Sequence, residues 1–364
     1  MPMNSSRRDL KSNKEFVMSD YFKRVAAMTP TQFWINNVTE EEARMAIEAG
    51  AVGCTQNPSF AYKMLVHPTK SEEARKVLRE ILKEEKDDSM VEVKLQRELV
   101  AKIAKIFYPI YQATNGELGY VSIQGDPYDE SYETIMKLAH FNREAGENIM
   151  IKIPATDDGI RAIEQCAAEG IPLNCTEVMS MDQTIDVLNA YERGVARGCG
   201  KAPVTYISHI AGIFDEYLGK VVKAENIDIS PDALYLAGKA CAQKVRYYMD
   251  IRGGKVKLIN GGARGLQHFT EWVGGDLSNT INWLGTADKL LEKDAPVVPC
   301  FNNPVPLDVI DELCKKLPDF RKGYFTGSLK PEEYHDYGPV ELFCSSFRKN
   351  WKQALEIIAE ERKN

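Results

Sequence analysis

The chain has 364 residues, 44% hydrophobic and 27% charged, with 46 Lys and Arg against 53 Asp and Glu for a formal net charge of −7. That balance suits a globular protein long enough for one α/β barrel with additions. It leaves no basic surplus to neutralise a phosphate backbone, and no stretch approaches the roughly 20 apolar residues that span a bilayer, so neither nucleic acid nor a membrane is expected as a partner.

The first residues, Met1 to Phe16, are basic and polar without an apolar run. They read as part of an N-terminal arm over 1–28 rather than a secretory signal, and the chain as cytoplasmic. Eight cysteines (54, 166, 175, 199, 241, 300, 314 and 344) are dispersed with no C-x-x-C pair. They read as reduced, mostly buried thiols. Five scattered histidines form no metal-binding spacing, so no metal is expected.

Eight short apolar runs follow in chain order: Phe33–Ile35, Val52–Thr55, Tyr120–Ile123, Ile149–Ile153, Ile171–Asn174, Val204–Ser208, Val256–Ile259 and Leu277–Ile281. Each is apolar on both faces, as a parallel strand covered by helices must be. Helical segments lie between them. Thr39 before Glu40, Glu41 and Glu42, Thr156 before two aspartates, and Ser180 before Gln183 are N-cap patterns, and Gly50 and Gly170 are stops. Eight β–α repeats, with no G-x-G-x-x-G after a strand, predict a (β/α)₈ TIM barrel over 29–295 rather than a dinucleotide fold.

Extra helix is expected at 69–116. Residues 296–364 form a C-terminal extension, irregular at first because of five prolines and ending in a helix near Val340–Arg362. Its stripe of Leu342, Phe343, Phe347, Trp351, Leu355 and Ile358 is expected to be core or interface, with a lid over the barrel mouth as the alternative. Length and that apolar helix suggest a homo-oligomer.

One residue breaks the apolar pattern chemically. In Asn148-Ile-Met-Ile-Lys152-Ile-Pro, a lysine stands inside a strand, and alternation sets it opposite Ile151 and Ile153. If those two face the helices, Lys152 points into the barrel. An ammonium there loses water, its pKa falls, and the neutral amine can attack a carbonyl to form an imine. Alternatively it is a strand-end lysine that reaches solvent or a carboxylate. Polar residues at the other strand ends (Asn36, Asn57, Gln124, Asn174, Thr176, Ser208) lie where barrel enzymes place their sites. Each taken alone could also cap a turn or helix.

Thr55-Gln-Asn57-Pro-Ser59, Ile151-Lys152-Ile-Pro-Ala-Thr156 with Gly159-Ile160, and Glu169-Gly-Ile171 followed by Asn174-Cys-Thr176 and Ser180 resemble the signatures of the transaldolase family, which includes the fructose-6-phosphate aldolases. The resemblance runs from about Phe33 to Ile281. It implies a Schiff-base enzyme with Lys152 as the imine-forming lysine. Asn57 and Asn174 would bind sugar hydroxyls, Thr176 would order the catalytic water, Ser208 would line the end of strand six, and Arg264 would hold the substrate phosphate. Gln124 occupies the catalytic position of strand three, a glutamate in transaldolases and a glutamine in the aldolases. The proton-transferring aspartate of strand one falls on Asn36, whose amide is neither acid nor base. A second phosphate arginine falls on Ile213 and a phosphate-loop serine on Gly262. Replacements for the missing acid are His209 and Glu177, although alternation points both away from the interior unless their strands have already turned. Asp126 reads as a loop cap.

The sequence reading is therefore a transferase or class I aldolase of the pentose phosphate type. It would transfer or release a dihydroxyacetone unit from an anionic ketose, a sugar phosphate or a similar sulfosugar. No cofactor is required, because the lysine itself is the electron sink, and activity should survive EDTA. A catalytically silent sugar-binding barrel or assembly subunit is the alternative, and a deoxyribose-phosphate-type aldolase a third reading that fits Asn57 and Asn174 less well.

Overall fold

The computed structural model describes residues 19–198 and 200–363. Eight parallel strands close on themselves in sequence order: β1 (Gln32–Asn36), β2 (Ala51–Thr55), β3 (Val121–Gln124), β4 (Ile149–Pro154), β5 (Leu173–Val178), β6 (Thr205–His209), β7 (Lys257–Asn260) and β8 (Ser278–Ile281). Strand β8 pairs with β1 from Gln32↔Ser278 to Ile35↔Ile281. This is the expected (β/α)₈ barrel. The strand ends differ from expectation by a residue or two, except that β5 runs past Asn174 to Val178.

The helix signals act locally as expected. Thr39 accepts from the Glu42 N–H at 3.2 Å while its own N–H donates to Glu42 Oε2 at 2.9 Å, and Gly50 ends that helix at φ +114°. Thr156 accepts from Gly159 N–H and Ser180 from Gln183 N–H. These caps satisfy donors that a helix start leaves open, each contributing about 1 kcal/mol.

Side-chain alternation divides the sheet. Ile123, Ile151, Ile153, Cys175 and Ile207 join the large core shared with the helices. Trp34, Tyr120, Met150, Tyr206 and Ile259 form a separate cluster filling the lower barrel, with Trp34 and Tyr206 rings 5.0 Å apart. The bottom is therefore a packed plug. Met150 belongs to it, so Lys152, two residues on along β4, also faces the interior, one layer higher.

The expected extra helices are Ser71–Leu82 and Asp88–Ala113. The extension holds short helices at Leu307–Lys316 and Pro318–Tyr324, then the long helix Gly338–Glu361. Of the arm expected over 1–28, residues 1–18 lie outside the described residues. Helix Tyr21–Met28 is packed: Phe22 stacks on Phe33 at 4.0 Å and meets Phe269 edge-on at 4.9 Å. Hydrophobic burial thus begins before the boundary read from polarity alone. Seven described cysteines are free, five of them buried. No helix among the described residues is long and apolar enough to cross a membrane.

The plug leaves no slack. A Cβ on Gly53 would come within 2.4 Å of the fully buried Trp34 ring. Gly53→Ala is expected to cost about 1–3 kcal/mol through forced repacking, seen as a lower urea midpoint with unchanged slope; an unchanged midpoint would show the plug to be loose.

Candidate active site

At the C-terminal ends of the strands the barrel opens into a cavity of about 180 Å³. Of the residues expected to form a site, Lys152, Asn36, Asn57, Ser208 and Arg264 line it. Gln124, Asn174 and Thr176 do not; they lie buried among the strands.

Lys152 is the centre. Its side chain is only 6% exposed, and burial lowers its pKa to about 8, opposed by the charge of Glu177 and then of Cys344. Its Nζ stands 5.8 Å from the Phe343 ring and 5.7 Å from Phe347. Both rings come from the C-terminal helix and line the cavity. Within the stripe Trp351 and Ile358 are buried as core, and Phe343 and Phe347, buried in the core as well, also roof the cavity above Lys152.

Gln124, Lys152 and Asn174 are register partners across β3, β4 and β5. Asn174 accepts from Ser208 Oγ at 2.6 Å and donates to Ser122 Oγ at 3.3 Å, so it supports Ser208 at the cavity wall. Thr176 Oγ has no partner among the described residues. Asn36 is held at both ends: its Oδ1 accepts from Thr55 Oγ at 2.9 Å, and its Nδ2 donates to Asn282 Oδ1 at 2.9 Å. A carboxamide held in this way is neither an acid nor a base. Asn57 presents its side chain to the cavity while Oδ1 accepts from Ser59 N–H at 3.1 Å.

The far end of the cavity is cationic. Arg264 bonds the Gly262 and Ala263 carbonyls and pairs with Glu216. Gly262 sits at φ +72°, where a serine would be strained, and a Cβ there would come within 2.9 Å of Ile213. The two departures from the family pattern, Gly262 and Ile213, thus fit one another. Lys63, from helix Phe60–Leu65, also lines the cavity. Its pKa is lowered by burial first and then by the charge of Arg264. Sequence reasoning missed Lys63. The available signal was a lysine one turn after Ser59 in a helix whose Phe60, Ala61, Met64 and Leu65 are all buried.

The two candidate proton donors behave differently. His209 does not line the cavity; it is wholly buried near Trp272, and burial lowers its pKa to about 4. Glu177 has turned inward. It is a non-glycine residue at φ +62°, where the β5–β6 register becomes irregular. Its Oε1 accepts from Gln124 Nε2 at 2.9 Å and its Oε2 from Cys344 Sγ at 2.9 Å. Alternation predicted the opposite face, and a left-handed residue breaks alternation. Gln183 holds this turn, donating to Glu177 O at 2.9 Å and Ala155 O at 3.1 Å and accepting from Met179 N–H at 2.9 Å. Asp126 caps the Tyr128 N–H, as expected.

Glu130, Glu177 and Cys344 bring ligand-type atoms within 4.8 Å of one another. Burial first, then Glu177, pushes the Glu130 carboxyl well above the usual range, and burial pushes the Cys344 thiol up as well. Of the three, only Cys344 and Glu177 are hydrogen-bonded to each other, and Glu130 Oε2 has no hydrogen-bond partner among the described residues.

Residues 33–302 match the family described as transaldolase/fructose-6-phosphate aldolase. Similar curated proteins include transaldolase 2 of a Nostoc species, 37% identical over 43% of this chain and 40% of its own length. The transaldolase of an Arthrobacter species is 31% identical over 53% of each chain, and that of Thiobacillus denitrificans is 26% identical over 68% of this chain and 72% of its own. The chain spans about a third to a half of the length of the first three curated relatives it matches.

A lysine with an ordinary pKa of 10.5 held at about 8 destabilises the folded state at every pH below 8, and the penalty fades as pH rises from 8 to 10.5. Lys152→Met is therefore expected to stabilise the protein at pH 7 by about 3 kcal/mol, with the gain shrinking toward pH 10. Urea denaturation at the two pH values measures this. A variant no more stable than the parent at pH 7 would mean that Lys152 is better solvated than its burial indicates.

Proposed function

The chain belongs to the transaldolase/fructose-6-phosphate aldolase family, and from that premise we propose that it transfers or releases a dihydroxyacetone unit from an anionic ketose through an imine on Lys152. The observation that carries this is a buried lysine, lowered to about 8, opening on a cavity with amide and hydroxyl groups near it and two cations beyond.

The neutral Nζ attacks the ketone carbon. The carbonyl oxygen leaves as water once protonated, and an iminium remains. The neighbouring C–C bond then breaks, its electron pair moving into the iminium to give an enamine, while the hydroxyl proton of the departing half is lost and that half leaves as an aldehyde. The enamine attacks an acceptor aldehyde in transfer, or takes a proton and is hydrolysed in cleavage. Asn57 and Ser208 stand where they can bind hydroxyls of the donor, with Asn174 holding Ser208. Gln124 and Thr176 offer polar groups to the imine step. Phe343 and Phe347 exclude water above Lys152, which favours the neutral amine.

Lys63 and Arg264 support an anionic tail on the donor. Two cations on one wall, with Arg264 already paired to Glu216, fit one phosphate or sulfonate. A charge left buried without such a partner costs stability. A silent barrel would gain nothing from the desolvation of Lys152, which costs stability.

Borohydride reduction in the presence of dihydroxyacetone or ketose phosphates, read by peptide mass spectrometry, is expected to leave an adduct on Lys152 and none in Lys152→Ala. Absence of an adduct with every donor would reject the imine. Lys63→Met and Arg264→Ala should each raise KM for an anionic ketose roughly tenfold or more, the loss of one charge-assisted contact, while trapping of uncharged dihydroxyacetone stays at the parent rate. Equal loss with both donors would place these cations outside the anion site.

A further inference from the structure

Glu177 lies at a position that strand geometry should have turned outward, and the fold spends strain to turn it in. A non-glycine residue in the left-handed region costs about 1 kcal/mol or more and persists only where its surroundings over-determine it. Here Gln183 supplies that determination, tying the Glu177 carbonyl to the Ala155 carbonyl and the Met179 N–H. The result is a wholly buried carboxylate, bonded on one oxygen by Gln124 and on the other by Cys344.

Two consequences follow from donor chemistry. An ionised carboxylate only accepts, so Gln124 must turn its NH₂ toward Glu177. Its Oε1 is then left as a buried acceptor with no partner among the described residues, on the strand neighbouring Lys152 and in register with it. Both donors to Glu177, an amide and a thiol, are neutral and leave its charge uncancelled. Among the groups facing it, Glu130 is pushed toward its protonated form by burial and by Glu177 itself, with Asp126 adding to that and Arg348 opposing it; His335 stands 3.9 Å from Glu130. Lys152 is the cation whose proton affinity Glu177 raises.

We propose that Glu177 is the counter-ion of the Lys152 iminium and the residue that orients Gln124, a double role created by the left-handed turn in β5. It rests on the reading of Lys152 as the imine-forming residue. The amine of Lys152 can shed its charge, but the iminium cannot do so without losing its power as an electron sink. A fixed negative charge nearby favours the iminium over the neutral carbinolamine in a site from which water is excluded. The freed Gln124 Oε1 accepts a hydrogen bond from the hydroxyl that the carbinolamine loses. Glu177 is thus a positioning and electrostatic residue.

The test is the pH dependence of cyanoborohydride trapping of dihydroxyacetone on Lys152, in the parent and in Glu177→Gln. The parent should trap with an acid-side midpoint near 8. Loss of the carboxylate should move that midpoint down by about one pH unit, the scale of one nearby opposite charge, and slow trapping at its plateau. Trapping in both proteins with the same midpoint would overturn the proposal. No trapping in the parent would instead reject the imine reading itself. Glu177→Asp and Gln124→Leu keep the charge but break the bond between the two side chains, and they remain informative if Glu177→Gln does not fold. Both are expected to keep the parent midpoint and lose about tenfold in kcat; an unchanged kcat in both would remove the orienting role.

Discussion

One constraint organises the upper half of this molecule: an ammonium group is held inside a closed sheet. Lys152 sits one layer above a packed plug of aromatic and aliphatic side chains, so it cannot be reached by solvent from below. Phe343 and Phe347 limit solvent from above. A charge so placed is unfavourable, and its pKa falls until the neutral amine is accessible near physiological pH. The same desolvation that destabilises the fold is what the proposed imine chemistry requires, since only the neutral amine is nucleophilic.

The rest of the site compensates that constraint at two ends. Toward the mouth, Lys63 and Arg264 gather positive charge around a glycine turn, where an anionic substrate would complete the electrostatics. Toward the wall, Glu177 brings a carboxylate whose charge raises the proton affinity of Lys152. The two ends use different means. The cations stand at helix and loop positions where long side chains adjust. The carboxylate is fixed by backbone conformation and by Gln183, and it does not depend on side-chain freedom.

The C-terminal extension is therefore part of the site and not an appendage. Its last helix contributes the aromatic cover and the Cys344 thiol that donates to Glu177. Arg348 from the same helix acts on Glu130. A chain cut before this helix would leave the barrel closed below and open above, with Lys152 in water.

Much of this was written in local residue chemistry. Strand periodicity, Thr39, Thr156 and Ser180 as caps, and the two-faced apolar runs determine eight β–α units, because each acts within a few residues of itself. Lys152 inside an apolar strand marks an amine that is desolvated if it faces inward, which the Met150 plug then decides, and the motifs around it determine the family. Tertiary structure alone decided the remainder. Lys63 belongs to the site only because helix Phe60–Leu65 folds over the mouth beside Arg264. Phe343 and Phe347 become at once core residues and the roof of the cavity only once the helix docks. Glu177 faces inward because one residue takes a left-handed turn held by Gln183, and period-two alternation, a rule for regular strands, carries no information about where a strand stops being regular.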